Sequence, residues 1–302
     1  MPSLWMIVAS FLFACMGVCV KLGSDEFSTG ELVFYRGAVG VLMMWIVARL
    51  GGIPLRTPHW RLQLSRGFSG SLALMCYFFA LGILPLASAV TLSYTSPIFV
   101  ALLLVLWFGE RLRWPALASV AMGFVGVALL LRPTVQPEQW PGAVAGLCGG
   151  LLASLAYVSV RELGRAGEPE VRTVFWFSAL TAALGLPWAL ARGLHLPDLH
   201  GFALLAGAGL FGGCAQLAMT HSYRYGRTVV SANLSYTTVL FSSLFGVLLW
   251  NEVLPLAAWL AIALIVASGI ATSLATRPRP PSAQAGGKRP APAGNAASQT
   301  PD

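Results

Sequence analysis

The sequence predicts an all-α integral membrane protein: ten transmembrane helices arranged as two inverted five-helix repeats. Three observations lead there. Hydrophobic residues make up 57% of the 302-residue chain and charged ones 10%, which leaves too little polar surface to cover a protein in water. Apolar stretches of the ~20 residues that a helix needs to cross a bilayer fill nearly the whole chain. The segment from Leu92 to Leu112 also returns 142 residues later, without a gap, as Leu234 to Leu254. The two copies agree at Leu92/Leu234, Ser93/Ser235, Tyr94/Tyr236, Thr95/Thr237, Phe99/Phe241 and Glu110/Glu252 among others. That is more than shared greasiness supplies, and a duplicated apolar unit is typical of transporters built from two similar halves.

The spans are expected near 3–21, 30–50, 64–83, 86–108 and 114–132 in the first half. The second half holds 141–161, 172–191, 201–222, 228–250 and 254–275. Transmembrane barrels would show alternating segments of about ten residues, and the unbroken run from Ala116 to Leu131 excludes that pattern. The repeats are taken as residues 1–133 and 141–275, and 277–302 as a disordered tail dominated by Pro, Ala, Gly and Ser. The first apolar run lacks a basic start and flows into a multi-span pattern, so no cleavable signal is expected.

Charge orients the chain. With a cytoplasmic amino terminus, fifteen basic residues fall on the inside, Arg49, Arg66, Arg161 and Arg172 among them, against Lys21, Arg132 and Arg192 outside. This bias places both termini in the cytoplasm. Five spans per half is an odd number, so the second half enters from the opposite side and the repeat is inverted. The net charge of +8 therefore reads as topology and lipid contact, not as nucleic-acid binding.

Phe34-Tyr35-Arg36 in span two, with Gly109-Glu110 and Asn251-Glu252 closing the repeated span, resembles the drug/metabolite transporter superfamily, in its ten-helix EamA type. The resemblance covers residues 1 to about 275. It implies an inner-membrane carrier whose halves surround a central cavity, lined chiefly by spans three, four, eight and nine. Members move amino acids, metabolites, vitamins, nucleotide-like molecules or metallophores. Asn251 stands where the first copy has Gly109, which weakens any requirement for glycine there.

Helix rise puts Tyr94 and Tyr236 each about 12 Å into its span from opposite faces, near the bilayer centre, where inverted-repeat transporters bind cargo. Tyr94, Tyr236 and Asn233 are the leading cavity candidates, with Gln216 of span eight and Tyr77 of span three beside them. Arg36, inside span two, either holds a substrate carboxylate or snorkels outward to Glu31 or the headgroups. Glu31 and His221 are the candidate proton-coupling groups, because a membrane carboxylate and an imidazole can both exchange protons. Gly142, Gly146, Gly150 and Ser154 form a small-residue stripe on span six, read as a close helix contact.

No cofactor and no metal are called for. The five cysteines lie inside spans without metal spacing, and neither a GxxxxGK[ST] phosphate loop nor HExxH occurs. The chain is read as a secondary transporter rather than an enzyme, exporting a small metabolite by alternating access with proton exchange as the candidate driving force. The alternative is a flippase or membrane enzyme acting on an amphiphilic or lipid-linked substrate. The bilayer and a small molecule are the expected partners, with a homodimer as an option for assembly.

Overall fold

The computed structural model describes residues 2–93, 95–109, 114–130, 137–193, 197–251 and 256–275; Tyr94, Glu110, Glu252 and the tail lie outside them. The regular elements among these residues are all helical. The first half contains α1 (Trp5–Gly23), α2 (Thr29–Leu50), α3 (Trp60–Ile83), α4 (Leu86–Ser93), α5 (Ser96–Leu106) and α6 (Trp114–Leu130). The second contains α7 (Trp140–Arg165), α8 (Glu170–Arg192), α9 (Leu199–Tyr225), α10 (Thr228–Leu234), α11 (Thr237–Trp250) and α12 (Leu256–Ala275). Among the described residues, seven stretches are long and apolar enough to cross a membrane, the last running from Thr228 to Trp250 through α10 and α11. Shorter apolar helices cover Ser96–Leu106 and Leu117–Gly126.

The helix ends obey local chemistry. Trp5, Trp60, Trp114 and Trp140 each open a helix and are exposed, as amphipathic rings do at the bilayer interface. Leu42, Leu102, Leu106 and Phe202 are likewise exposed along the outer surface, a face suited to lipid rather than water. At the start of α2 the Glu31 carboxylate accepts from the backbone N–H and hydroxyl of Ser28, at 2.9 and 2.8 Å, closing a capping box. The Lys21 ammonium donates to the carbonyls of Leu81 and Leu84 at 2.8 and 3.1 Å. It thereby satisfies orphan acceptors at the end of α3.

Spans four and nine each lose the regular α-helical ladder within the repeated segment, at Thr95 in the first and at Ser235 and Tyr236 in the second; in span four Pro97 leads the sequence to expect a bend. α4 stops at Ser93 and α5 starts at Ser96, while α10 stops at Leu234 and α11 starts at Thr237. The two breaks share their chemistry. The Thr95 hydroxyl donates to the Leu92 carbonyl and the Thr237 hydroxyl to the Leu234 carbonyl, both at 2.8 Å. A threonine hydroxyl that takes a nearby carbonyl competes with the helical ladder. Pro97 reinforces the first break, but Val239 occupies the corresponding place in the second, so proline is not the common cause. What the two segments share is a threonine hydroxyl bonded to the carbonyl three residues before it.

The helices associate chiefly as α2 with α8, α3 with α7, α1 with α9 and α6 with α12. Glycine lets the first pair approach closely. A Cβ at Gly37 would lie 2.5 Å from the Ala182 backbone nitrogen, and one at Gly185 would lie 2.8 Å from that of Phe34. The stripe on α7 does the same against the first break: Gly146 faces Leu92, and Gly150 faces Thr95 and the Ser93 carbonyl. Small residues are what let membrane helices come this near.

At one end of the bundle, Glu168 ties three elements together. Its carboxylate accepts from Thr57 at 2.6 Å and from Arg172 at 2.9 Å, and its carbonyl accepts from Arg224 at 2.7 Å. The α2–α3 connection is held there as well, by Arg172 Nε donating to the Pro54 carbonyl and Trp176 Nε1 to that of Leu55.

Candidate substrate-binding site

A central cavity of about 80 Å³ lies among α1, α3, α4, α7, α8 and α9. Phe13 and Met16 come from α1, Arg66, Leu74 and Tyr77 from α3, Ser93 from α4, Tyr157 from α7, Phe177 from α8 and Gln216 from α9. Its walls are thus largely aromatic and aliphatic, with a few convergent polar groups, the usual make-up of a small-molecule site.

Arg66 is the centre of that polar set. It is 2% exposed; one terminal nitrogen donates to the Gln216 side-chain oxygen at 2.7 Å, and its guanidinium carbon lies 4.0 Å from the centroid of the Phe177 ring. Its other terminal nitrogen occupies the space that a Cβ at Gly70 would need. Glycine at 70 therefore makes room for the guanidinium against α3. Arg36 comes to the same ring from α2, 4.7 Å from the centroid, and is 1% exposed. Gly212 of α9 leaves room for it, since a Cβ there would lie 3.2 Å from Arg36 Nε. Two cations over one ring gain from its negative face but repel each other.

The charge pattern counts Arg66 among the cytoplasmic loop charges, and the structure corrects this. Span three begins at Trp60 rather than 64, so Arg66 sits six residues, about 9 Å, inside the helix. The interfacial Trp60 is the signal in the sequence that moves the boundary. The inside bias itself survives the loss of one charge from fifteen. Phe177, an apolar residue of span seven, is the ring that both arginines cover.

The remaining candidates separate. Gln216 and Tyr77 line the cavity. Tyr236 does not: it is buried at 0% exposure with its ring against α6, where a Cβ at Gly123 would meet it at 2.7 Å. Asn233 is also turned away, donating to the Ser268 carbonyl at 3.0 Å and accepting from the Ser268 hydroxyl at 2.9 Å. That pair fastens α10 to α12 and satisfies a buried amide, as a low-dielectric interior demands. Tyr94 lies outside the described residues. Spans three, four and eight contribute to the lining as the resemblance implied, but no described residue of span nine does; α1, α7 and α8 take its share.

Arg36 does not snorkel. It faces inward over Phe177, while the Glu31 carboxylate serves its own helix cap. His221 stands apart from the cavity, near the end of α9, with Nδ1 2.9 Å from a Glu170 carboxylate oxygen and its ring between those of Trp5 and Tyr225. Among the described residues no group of three or more His, Cys, Asp or Glu is placed to hold a metal.

Comparison with known proteins agrees with this architecture. The family model described as the EamA-like transporter family matches residues 1–132 and 140–274. The pseudopaline exporter CntI of Pseudomonas aeruginosa is 30% identical, with 82% of this chain and 87% of that protein covered. A riboflavin transporter of Rhizobium johnstonii is 28% identical over 73% of this chain and 74% of its own length. A crystal structure at 22% identity superposes with a TM-score of 0.76, covering 90% of this chain and 96% of the other, which shows a shared fold. Two family matches, one in each half, together span nearly all of the helical chain: the protein is a transporter of the EamA-like family, a multi-pass membrane protein and not an enzyme.

Proposed function

We propose that the protein exports a small metabolite across the inner membrane by alternating access, with the cavity at Arg66, Gln216, Tyr77 and Phe177 as the cargo site. The observation that carries this is the Arg66–Gln216 hydrogen bond across the cavity. It joins α3 of the first half to α9 of the second, so movement of one half against the other would make and break it. At about 80 Å³ the cavity falls well short of the roughly 300–1,000 Å³ of most ligand sites. Loading therefore requires the halves to part, as alternating access demands.

In this reading residues 1–133 and 141–275 form five spans each, related by a two-fold axis in the membrane plane, with both termini and the tail cytoplasmic. The helix pairing supports it. Such an axis exchanges α3·α7 with α1·α9 and maps α2·α8 and α6·α12 onto themselves, which is the pairing found. The matched threonine bonds at the two breaks support it again. The relatives named as a pseudopaline exporter and a riboflavin transporter favour a small organic cargo. His221 with Glu170 is the better proton-coupling candidate, because Glu31 is engaged in the α2 cap.

The test is reconstitution of the purified protein in liposomes loaded with extracts of the source cells, monitored under an imposed pH gradient by mass spectrometry. Gradient-dependent loss of one or a few metabolites, absent from empty liposomes, is expected. If no metabolite leaves under a gradient of either sign, the transport assignment of the cavity fails.

A further inference from the structure

We propose that the cargo is an organic carboxylate whose anionic end is held by Arg66, which lines the cavity, with Arg36 on the same Phe177 ring adding positive charge beside it, and whose body lies against the aromatic walls of the cavity. This rests on the reading of the cavity as the cargo site, and it adds the cargo's charge and the groups that recognise it.

A guanidinium offers five N–H donors and no acceptor. Arg66 uses a terminal nitrogen on Gln216, while its Nε is buried without a hydrogen-bond partner among the described residues. Arg36 goes further: all three of its nitrogens are buried and none has a hydrogen-bond partner among the described residues. No described carboxylate pairs with either. Ion pairs among the described residues join Arg161 and Arg165 to Glu162, Arg172 to Glu168 and His221 to Glu170, near helix ends. The two guanidinium carbons are no farther apart than the sum of their 4.7 and 4.0 Å distances to the Phe177 centroid.

Two buried cations on one ring, without a described carboxylate and with donors to spare, are a structural liability, because a charge taken out of water without a partner is strongly disfavoured. The Phe177 ring offsets a small part of that. An incoming carboxylate would offset the rest, since its two oxygens match the planar guanidinium fork. Its body would meet Phe13, Tyr77, Tyr157 and Phe177, the rings that line the cavity. A planar carboxylate is the smaller of the anions that guanidinium groups hold, and the cavity, about 80 Å³, is small.

The experiment uses the full-length protein in lipid nanodiscs and matched probes: phenylacetate with phenylacetamide, benzoate with benzamide, and phenyl phosphate. Thermal unfolding and equilibrium binding are measured for wild type, Arg66→Gln, Arg36→Met and Gly70→Ala. The acids are expected to raise the unfolding midpoint and to bind roughly tenfold or more tighter than their amides, a discrimination lost in both arginine variants. Gly70→Ala keeps both charges but displaces an Arg66 nitrogen, and is expected to weaken the acids alone. Without ligand, Arg36→Met is expected to raise the midpoint, because it removes an unpaired buried charge; a purely structural arginine would instead lower it and leave the preference for acids intact. Equal binding of acid and amide, binding of phenyl phosphate alone, or no response to either acid overturns the inference. None of these outcomes bears on whether the protein moves a metabolite in liposomes, so failure here is distinct from failure of the transport reading.

Discussion

Replacing Arg66 by Ala is expected to lower cargo transport by on the order of 100-fold at equal amounts of protein in the membrane. The contacts removed set that size. A hydrogen bond to a charged group contributes about 1.5–3 kcal/mol, and every 1.4 kcal/mol is tenfold in affinity. Arg66→Ala takes away the donor to Gln216, the cation over Phe177 and the cavity's charged group together. Arg66→Lys retains the charge but not the planar fork, and is expected to fall between, about tenfold below wild type. Initial rates in proteoliposomes, normalised to protein reconstituted, give the comparison. Wild-type rates for Arg66→Ala would remove Arg66 from the site.

The second large effect is on assembly. Gly37→Leu is expected to destabilise the protein by about 3 kcal/mol, at the upper end of what overpacking costs. The clash is with backbone: a Cβ there would lie 2.5 Å from the nitrogen and 2.8 Å from the Cα of Ala182, and no flexible side chain can swing aside. α2 and α8 would have to separate. One carries Arg36 and the other Phe177, so the arrangement around the cavity would be disturbed along with the fold. Gly82→Ala is the control, because nothing lies within 4 Å of a Cβ at that position. Unfolding midpoints in detergent and the yield of folded protein in membranes should drop for the first and hold for the second. Equal behaviour of the two would mean that the close approach of α2 and α8 does not sustain the structure.

Most of the helices are legible in the sequence, because membrane spans announce themselves by length and composition. Legibility ends at the details of direction. Helix rise gives Tyr236 a depth in the membrane but not the side of the helix on which it projects. In a soluble helix a polar face would reveal that orientation. Here lipid and core are both apolar, so Tyr236 facing α6 and Gln216 facing the cavity look alike in sequence. Asn233 resembles a cavity group because a lone amide in an apolar run asks for a partner. The partner is Ser268, 35 residues along the chain, which no local pattern reveals. Arg66 is hidden differently: two residues inside the expected start of span three it passes for an interfacial charge, and the four further residues of helix before that start place it about 9 Å in. The breaks themselves are half legible, through Pro97 in one copy, whereas the threonine hydroxyl found at both looks in sequence like any other polar residue of the span.

That cargo is held between α3 and α9 at Arg66 and Gln216 is tested most directly by a structure of the protein with its transported metabolite bound. The expected result is density for the metabolite within hydrogen-bonding distance of Arg66, against Phe177 and Tyr77, in a cavity larger than the present one. Metabolite bound instead beside Tyr236 and Asn233, with the Arg66–Gln216 bond undisturbed, would contradict it.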